Sequence, residues 1–340
     1  MFFCRQPVRV LPVFTFHLGC RDRCSFCNQH SLVSSQYPLP AQAAAWLRQV
    51  LPGMPPGPPI EIAFFGGTFT ALSLPDMARW LDIAAPFLRS ATISGIRLST
   101  RPDALNRETI AFLKQKGVTT VCLGVESLDK EVLHQAGRFY DKHTVFDALS
   151  LLQKQGIAAV GQLMVGLPGD TPAKSRASVR GLLDQGISGL RVCPTLVLKS
   201  TQLAERYRSG AYAPWPEETV YDVLERACHA AYLARVPIIR LGLCLDDAIR
   251  RSYLAGLWHE SLGHYVSYRL FYRVMRHLLA DGDTTTLVLH PELKDFLHGY
   301  GRENMRRLKQ DFPRTNVVFD TRGMTRTDVH ARFQALSLAL

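Results

Sequence analysis

A chain of 340 residues, 47% of them hydrophobic and 20% charged, is long enough to bury a large core and too apolar to be a disordered tail. No apolar run reaches the ~18 residues that crossing a bilayer requires; Arg5, Pro7 and Arg9 interrupt the apolar start, and no A-x-A-like cleavage site follows, which reads as cytoplasmic. A formal net charge of +11 favours a polyanionic partner such as RNA without demanding one.

From the start of the chain a unit recurs: a short β-branched run, a loop, then a stretch with helical spacing. The strands are expected at Val10–Phe16, Ile60–Phe64, Ile96–Ser99, Thr119–Leu123, Val160–Val165 and Leu190–Cys193. Helical spacing fills Asp76–Leu88, Ala104–Lys116, Lys142–Gln155 and Lys174–Gln185. Alternation of this kind implies a parallel sheet with right-handed crossovers. Six units without a two-half nucleotide fingerprint suit an α/β fold of the partial (β/α)6 barrel type. Beyond Ser200 the regularity changes, with helices expected at Glu217–Arg235 and His264–Leu279 and a strand at Ile238–Leu243. The polar-aromatic run Trp258–Tyr265 reads as a packed helix start. A boundary is expected at Ala280–Thr285, followed by β-α-α-β-α: Leu287–His290, Glu292–His298, Glu303–Phe312, Asn316–Phe319 and Thr325–Leu340. The division is therefore 1–245 for the barrel, 246–283 for a helical extension and 284–340 for a small α+β module.

Three of the eight cysteines, Cys20, Cys24 and Cys27, fall within eight residues, whereas Cys4, Cys122, Cys193, Cys228 and Cys244 are scattered. In a reducing compartment such a group points to a metal site and not to disulfides. Three thiolates on one compact loop hold three irons of a [4Fe–4S] cube and leave the fourth open for a chelating cofactor. The loop follows the first strand, at the end of a barrel where active sites are built. Zinc is the competing reading, because His30 completes a Cys3His set. Phe26 before the third cysteine is not something zinc asks for. Cys122 and Cys193, in apolar strand-like runs, read as small buried hydrophobes.

The spacing C-x3-C-x-aromatic-C after an N-terminal strand resembles the signature of the radical S-adenosylmethionine (SAM) superfamily, and the resemblance runs from about Val10 to Gly242. FFGGTFT (Phe64–Thr70) resembles that family's glycine turn, implying that Gly66, Gly67 and Thr68 meet the methionine amino group of SAM, glycine allowing close backbone approach. LSTRPD, LGVESLD, AGR and GQLMVGLPGDT resemble the branch that contains the Elongator catalytic subunit and oxygen-independent coproporphyrinogen oxidase. By position, Ser99, Glu126, Arg138 and Gln162 are implied to hold the SAM carboxylate and ribose, with Phe26 beside the cofactor. Coproporphyrinogen oxidases carry an acidic residue, glutamine and aspartate at the places of Ser99, Glu126 and Gln162, so that reaction transfers poorly. The Elongator subunit has a longer first cysteine gap and an acetyltransferase domain for which 340 residues leave no room. The resemblance implies SAM and a [4Fe–4S] cluster as cofactors, an electron donor of the flavodoxin or ferredoxin type, and no conventional acid, base or nucleophile.

Near the C-terminus, Gly299, Tyr300, Gly301 and Arg302 between two short helices resemble the backbone-clamping loop of a KH module, with Arg302 where a glycine is usual. Arg302, Arg306 and Arg307 place positive charge beside it. A plain βααβ cap on the barrel edge accounts for the same pattern. The expected function is radical SAM chemistry with RNA or tRNA as the favoured substrate class. Its alternatives are the same chemistry on a small molecule or protein side chain, and a metal-stabilised nucleic-acid-binding protein without catalysis.

Overall fold

Along Ile93–Thr100, apolar Ile96 and Leu98 alternate with Arg97 and Ser99, and this period of two sets the architecture. A computed structural model describes residues 8–15, 17–20, 24–28, 39–89, 92–243, 247–280 and 286–336. The strands are β1 (Arg9–Phe14), β2 (Ile60–Phe65), β3 (Ile93–Thr100), β4 (Val118–Glu126), β5 (Ala158–Val165), β6 (Gly189–Pro194), β7 (Val197–Leu198), β8 (Ile238–Leu241), β9 (Tyr253–Ala255), β10 (Thr286–Leu289) and β11 (Asn316–Phe319). The first helices are α1 (Pro40–Val50), α2 (Leu74–Leu81), α3 (Arg107–Gln115), α4 (Lys130–Gln135), α5 (Lys142–Lys154) and α6 (Pro172–Asp184). They are followed by α7 (Gln202–Arg208), α8 (Glu217–Leu233), α9 (Asp247–Ser252), α10 (Leu262–Ala280), α11 (Lys294–His298), α12 (Glu303–Asp311) and α13 (Arg326–Ala335).

Seven strands pair in parallel in the order β1-β2-β3-β4-β5-β6-β8. The six recurring units are thus joined by one further strand, β8, which the long β6–β8 connection brings back to the open edge. The sheet is curled. Strands four places apart in a flat sheet stand about 19 Å from each other, yet the Arg191 guanidinium on β6 lies 6.0 Å from the centre of the Phe65 ring on β2. The convex face carries Ile62, Phe64, Ile96, Leu98, Val121, Leu123, Leu190 and Val192, buried beneath the helices. The concave face is polar: Glu61, Arg97, Thr120, Gln162 and Arg191 point into the lumen.

At its N-terminal end the lumen is closed by a satisfied cluster. Arg97 Nε donates to Glu61 at 2.6 Å, and the hydroxyls of Thr120 and Thr119 donate to the other carboxylate oxygen at 2.6 and 3.1 Å. Both charges are buried. The C-terminal end carries the loops of interest.

The last third of the chain is built on α8 and α10. Buried Glu225 on α8 accepts from Arg269 and Arg273 of α10, and Arg269 also reaches Glu218 with two bonds of 2.7 and 3.0 Å. Beyond α10 the expected β-α-α-β-α order is present, with β10 and β11 paired in parallel. Leu289, Leu293, Leu297, Val329 and Phe333 belong to the same buried core as α8, α10 and the barrel. The expected boundary at Ala280–Thr285 falls mainly on residues 281–285, outside the described residues, as do Cys4, His30 and Cys244. Among the described residues no helix is long and apolar enough to cross a membrane.

Candidate active site

The first half of the cysteine loop is interlocked with the glycine turn after β2. Thr15 N donates to Phe65 O at 2.6 Å, His17 N to Gly66 O at 2.8 Å, and Thr68 N returns a bond to Leu18 O at 2.9 Å. A β-carbon on Gly67 would sit 2.3 Å from Leu18 O and 2.9 Å from Thr15 O, and one on Gly19 would sit 2.2 Å from Thr68 O. Gly67 is therefore required by the chain that carries Cys20, a different reason from the ligand approach expected of it. Gly66 takes φ +106°, a conformation that favours glycine. Thr68 contributes its side chain, with Oγ1 3.2 Å from Cys20 Sγ. Thr70 and Thr100 share a hydrogen bond of 2.6 Å that ties the turn to the end of β3.

The second half is held by other elements. Ser25 N donates to Ala136 O after α4 at 3.0 Å, Leu203 N on α7 donates to Ser25 O at 2.8 Å, and Cys27 N closes on Cys24 O at 3.0 Å. Phe26 is partly buried and packs against two clusters, one containing Val132, Ala136 and Met164 and the other Val197, Leu203 and Tyr212. It thus wedges the loop against the barrel. Cys20 is exposed, Cys24 and Cys27 are half-buried, and none of the three is in a disulfide. Among the described residues no three Cys, His, Asp or Glu side chains are gathered at metal-binding distance. The structure fixes the two anchors of the loop; residues 21–23 between them lie outside the described residues.

Beside the loop, Glu126, Arg138 and Gln162 form one connected group. Glu126 ends β4 at a register shift and takes a left-handed φ of +65°, at a cost of about 1–2 kcal/mol. This turns its carboxyl into the lumen, where it is buried. Arg138 donates to it at 3.2 Å and Gln162 at 3.3 Å. Arg138 also bonds Gly124 O at 2.5 Å and the Tyr140 hydroxyl at 3.0 Å. Burial raises the Glu126 carboxyl, against the pull of Arg138 and Gln162. Burial also works against the Arg138 charge, but Tyr140, Cys24 and Glu126 outweigh it and hold its pKa well above the ordinary value. Burial lifts Tyr140 to about 12. Ser99 occupies the lumen-facing side of β3 and makes no hydrogen bond to this group among the described residues.

These residues suit the cofactors of the resemblance. Three reduced thiols with no hard ligand among them are an iron–sulfur donor set. Arg138 Nε and both polar atoms of the Asn28 side chain are buried with no partner among the described residues. Unmet buried donors of this kind cost about 1–3 kcal/mol each, which a polar ligand would recover. Both residues lie on the segments joined by the Ser25–Ala136 bond. Cys122 and Cys193 are buried, and burial pushes the Cys193 thiol to about 11, where it is inert. The sequence reading missed Asn28, Arg101 and Tyr140. Arg101 spans Asp103 with two bonds and lies 5.8 Å from the Tyr140 ring.

The loop expected to meet nucleic acid, Gly299–Arg302, lies between α11 and α12. Gly299, Gly301 and Arg302 take φ of +67°, +55° and +62° before α12. Tyr300 is exposed and stands 5.0 Å from the His259 ring, joining the loop to the polar-aromatic run before α10. Arg302 and Arg306 are exposed, whereas Arg307 is paired with Glu303 at 2.6 Å.

Comparison with known proteins agrees with this arrangement. Residues 14–179 match the sequence model of the Radical SAM superfamily, and residues 187–271 match the Radical_SAM C-terminal domain. The tRNA uridine(34) acetyltransferase of Dehalococcoides mccartyi is 26% identical over 74% of this chain and 61% of its own length. The chain thus spans about three fifths of that relative. The archaeal Methanocaldococcus infernus Elp3 shares the fold with a TM-score of 0.61 at 21% identity, over 80% of this chain and 63% of that one. Coproporphyrinogen III oxidase (HemN) from Escherichia coli does so with a TM-score of 0.52 at 17% identity, over 98% of this chain and 92% of that one. A curled parallel sheet, a three-cysteine loop locked onto a glycine turn and two matching family regions lead to one conclusion: the chain belongs to the radical SAM superfamily, whose members use SAM and an iron–sulfur cluster.

Proposed function

We propose that this enzyme holds a [4Fe–4S] cluster on Cys20, Cys24 and Cys27, binds SAM beside it and acts on RNA. The observation that carries the reading is the cysteine loop clasped at both ends against the strand termini that present Thr68, Glu126, Arg138 and Gln162. When bound, the pair supplies reductive cleavage of SAM to a 5′-deoxyadenosyl radical, which takes hydrogen from an unreactive C–H bond. The chain's own part is binding and exclusion of water. The backbone at Gly66–Thr68 and the side chains of Ser99, Glu126, Arg138 and Gln162 hold the polar parts of SAM, and Phe26 keeps the loop seated. A flavodoxin- or ferredoxin-type donor supplies the electron.

RNA is favoured by the net charge of +11, the exposed Arg302 and Arg306, and relatives named tRNA uridine(34) acetyltransferase and Elongator complex protein 3. The test is anaerobic purification with iron and sulfide analysis, then 5′-deoxyadenosine release with and without tRNA. About four irons per chain are expected. Any one of Cys20→Ala, Cys24→Ala or Cys27→Ala should abolish them, while Cys193→Ala should not. Stoichiometric zinc without iron would end the reading, and release that tRNA does not accelerate would end its RNA part.

A further inference from the structure

Arg191 and Arg240 face each other across neighbouring strands of the lumen wall. They are register partners in the β6–β8 pairing, and Gln162 on β5 is the register partner of Arg191 on its other side. Gln162, Arg191 and Arg240 therefore stand side by side at one level of the barrel. All three are only partly buried, and the charges of Arg191 and Arg240 both act on the Cys193 thiol of β6. Strand neighbours are about 5 Å apart, and like charges placed directly opposite destabilise a sheet. Elsewhere in the lumen each cation has its carboxylate: Arg97 has Glu61, and Arg138 has Glu126. Arg191 and Arg240 have none within bonding distance among the described residues, and Arg191 rests on the Phe65 ring across the lumen. Arg191 is near enough to Glu126 for its charge to pull on that carboxyl, but neither guanidinium has a bonded carboxylate among the described residues, and two such forks on a concave wall suit a tetrahedral oxyanion, which they bind with paired donors.

We infer that Arg191 and Arg240 form a phosphate-binding subsite that anchors a phosphate ester of the substrate in the barrel lumen. The inference rests on the reading that SAM is held by Glu126, Arg138 and Gln162, since Gln162 then joins the two sites. The phosphate would lie one strand away from the cofactor, and the group carrying it would reach toward the cysteine loop. The period-two pattern offered the signal in sequence: an arginine in each of the apolar runs Leu190–Cys193 and Ile238–Leu241.

The test is calorimetric titration of inorganic phosphate, at constant ionic strength, into anaerobic cluster-loaded protein, with SAM affinity measured in parallel. Wild-type protein should bind phosphate, and Arg240→Gln should weaken it about tenfold or more. Arg240→Lys should recover part of the affinity, Arg79→Gln on exposed α2 should change nothing, and Arg240→Gln should keep its SAM affinity. No phosphate binding by wild type, or phosphate affinity as high as that of wild type in both Arg240→Gln and Arg191→Gln, would overturn the subsite. So would loss of SAM in place of phosphate, because the arginines would then serve the SAM carboxylate. Two competitors identify the source. An oligoribonucleotide that displaces phosphate points to RNA, whereas displacement by a free nucleoside monophosphate alone points to a small phosphate ester. Wild-type protein without iron or SAM binding would refute the functional reading on its own, and the phosphate comparison would still report on the arginine pair.

Discussion

Gly67 and Leu18 are packed backbone to backbone, with Leu18 O only 2.3 Å from where a Gly67 β-carbon would stand. A backbone oxygen cannot swing aside like the end of a side chain, so any residue but glycine pushes the Leu18–Cys20 segment off the turn. Gly67→Ala should therefore lose cluster iron together with SAM binding, and overpacking should lower stability by about 1–3 kcal/mol. Iron and sulfide content with a thermal melt checks this. A Gly67→Ala protein with full iron and no SAM affinity would instead assign this glycine to ligand approach.

Glu126 is the centre of the buried polar group, and its two obvious variants separate charge from shape. Glu126→Ala leaves Arg138 buried without its carboxylate and should cost about 3–5 kcal/mol. Glu126→Gln keeps the shape and resembles the protonated acid. Burial raises the folded-state pKa of Glu126 above the ordinary 4.5, so the folded protein holds this proton more tightly than the unfolded chain. That contribution is fully present below the ordinary carboxylate value and is lost as pH rises through the raised value. The stability of wild type relative to Glu126→Gln should accordingly decline with rising pH across that window. Urea titrations at a series of pH values measure it; a difference that grows with pH would reverse the sign argued here.

Glu225 decides how firmly α10 and the modules beyond it sit on the barrel. It is buried and accepts from both Arg269 and Arg273, whereas Glu218, Arg269's other partner, has a side chain 70% exposed. Glu225→Ala should cost about 3 kcal/mol or more, and Glu218→Ala at most about 1 kcal/mol. Limited proteolysis should digest residues 286–336 faster in the Glu225→Ala protein. Equal losses for the two variants would mean that the pair is held by packing alone.

The seven strands of the main sheet and the helices α2, α3, α5, α6, α8 and α10 were legible because their signals are periodic, whereas α1, β7 and β9 were not picked out. Ile96, Arg97, Leu98 and Ser99 announce both faces of β3, and Asn316–Phe319 coincides with its strand. α4 has six residues and α7 seven, too few to show a helical period, and both escaped notice although they clamp Ser25. The cysteines and the polar residues at strand ends were found through motif spacing. Their geometry was not, because Glu126 takes a left-handed backbone with no glycine to mark it, and Gly67 meets a segment distant in sequence. A motif names the residue; only the fold shows what it touches.

The arginines beside the Gly299–Arg302 loop divide into two kinds. Arg302 and Arg306 are exposed, so their charges are available to phosphates. Arg307 is already committed to Glu303 at 2.6 Å, one helical turn away. Tyr300, exposed next to His259, offers a ring on which a base can stack. Joint Arg302→Glu and Arg306→Glu replacement should weaken tRNA binding about tenfold or more and reduce the salt slope by about two, one for each lost phosphate contact. Arg307→Glu should change affinity less and act mainly on α12, where it sets two carboxylates one turn apart at a cost of a few tenths of a kcal/mol, roughly. Joint reversal of exposed Arg48 and Arg79 is the control, since it removes the same net charge from another surface. Filter binding at several salt concentrations compares the proteins. Equal losses in the two double variants would mean that RNA follows a diffuse basic surface, whereas a loss confined to the first would place the backbone of the RNA on this loop.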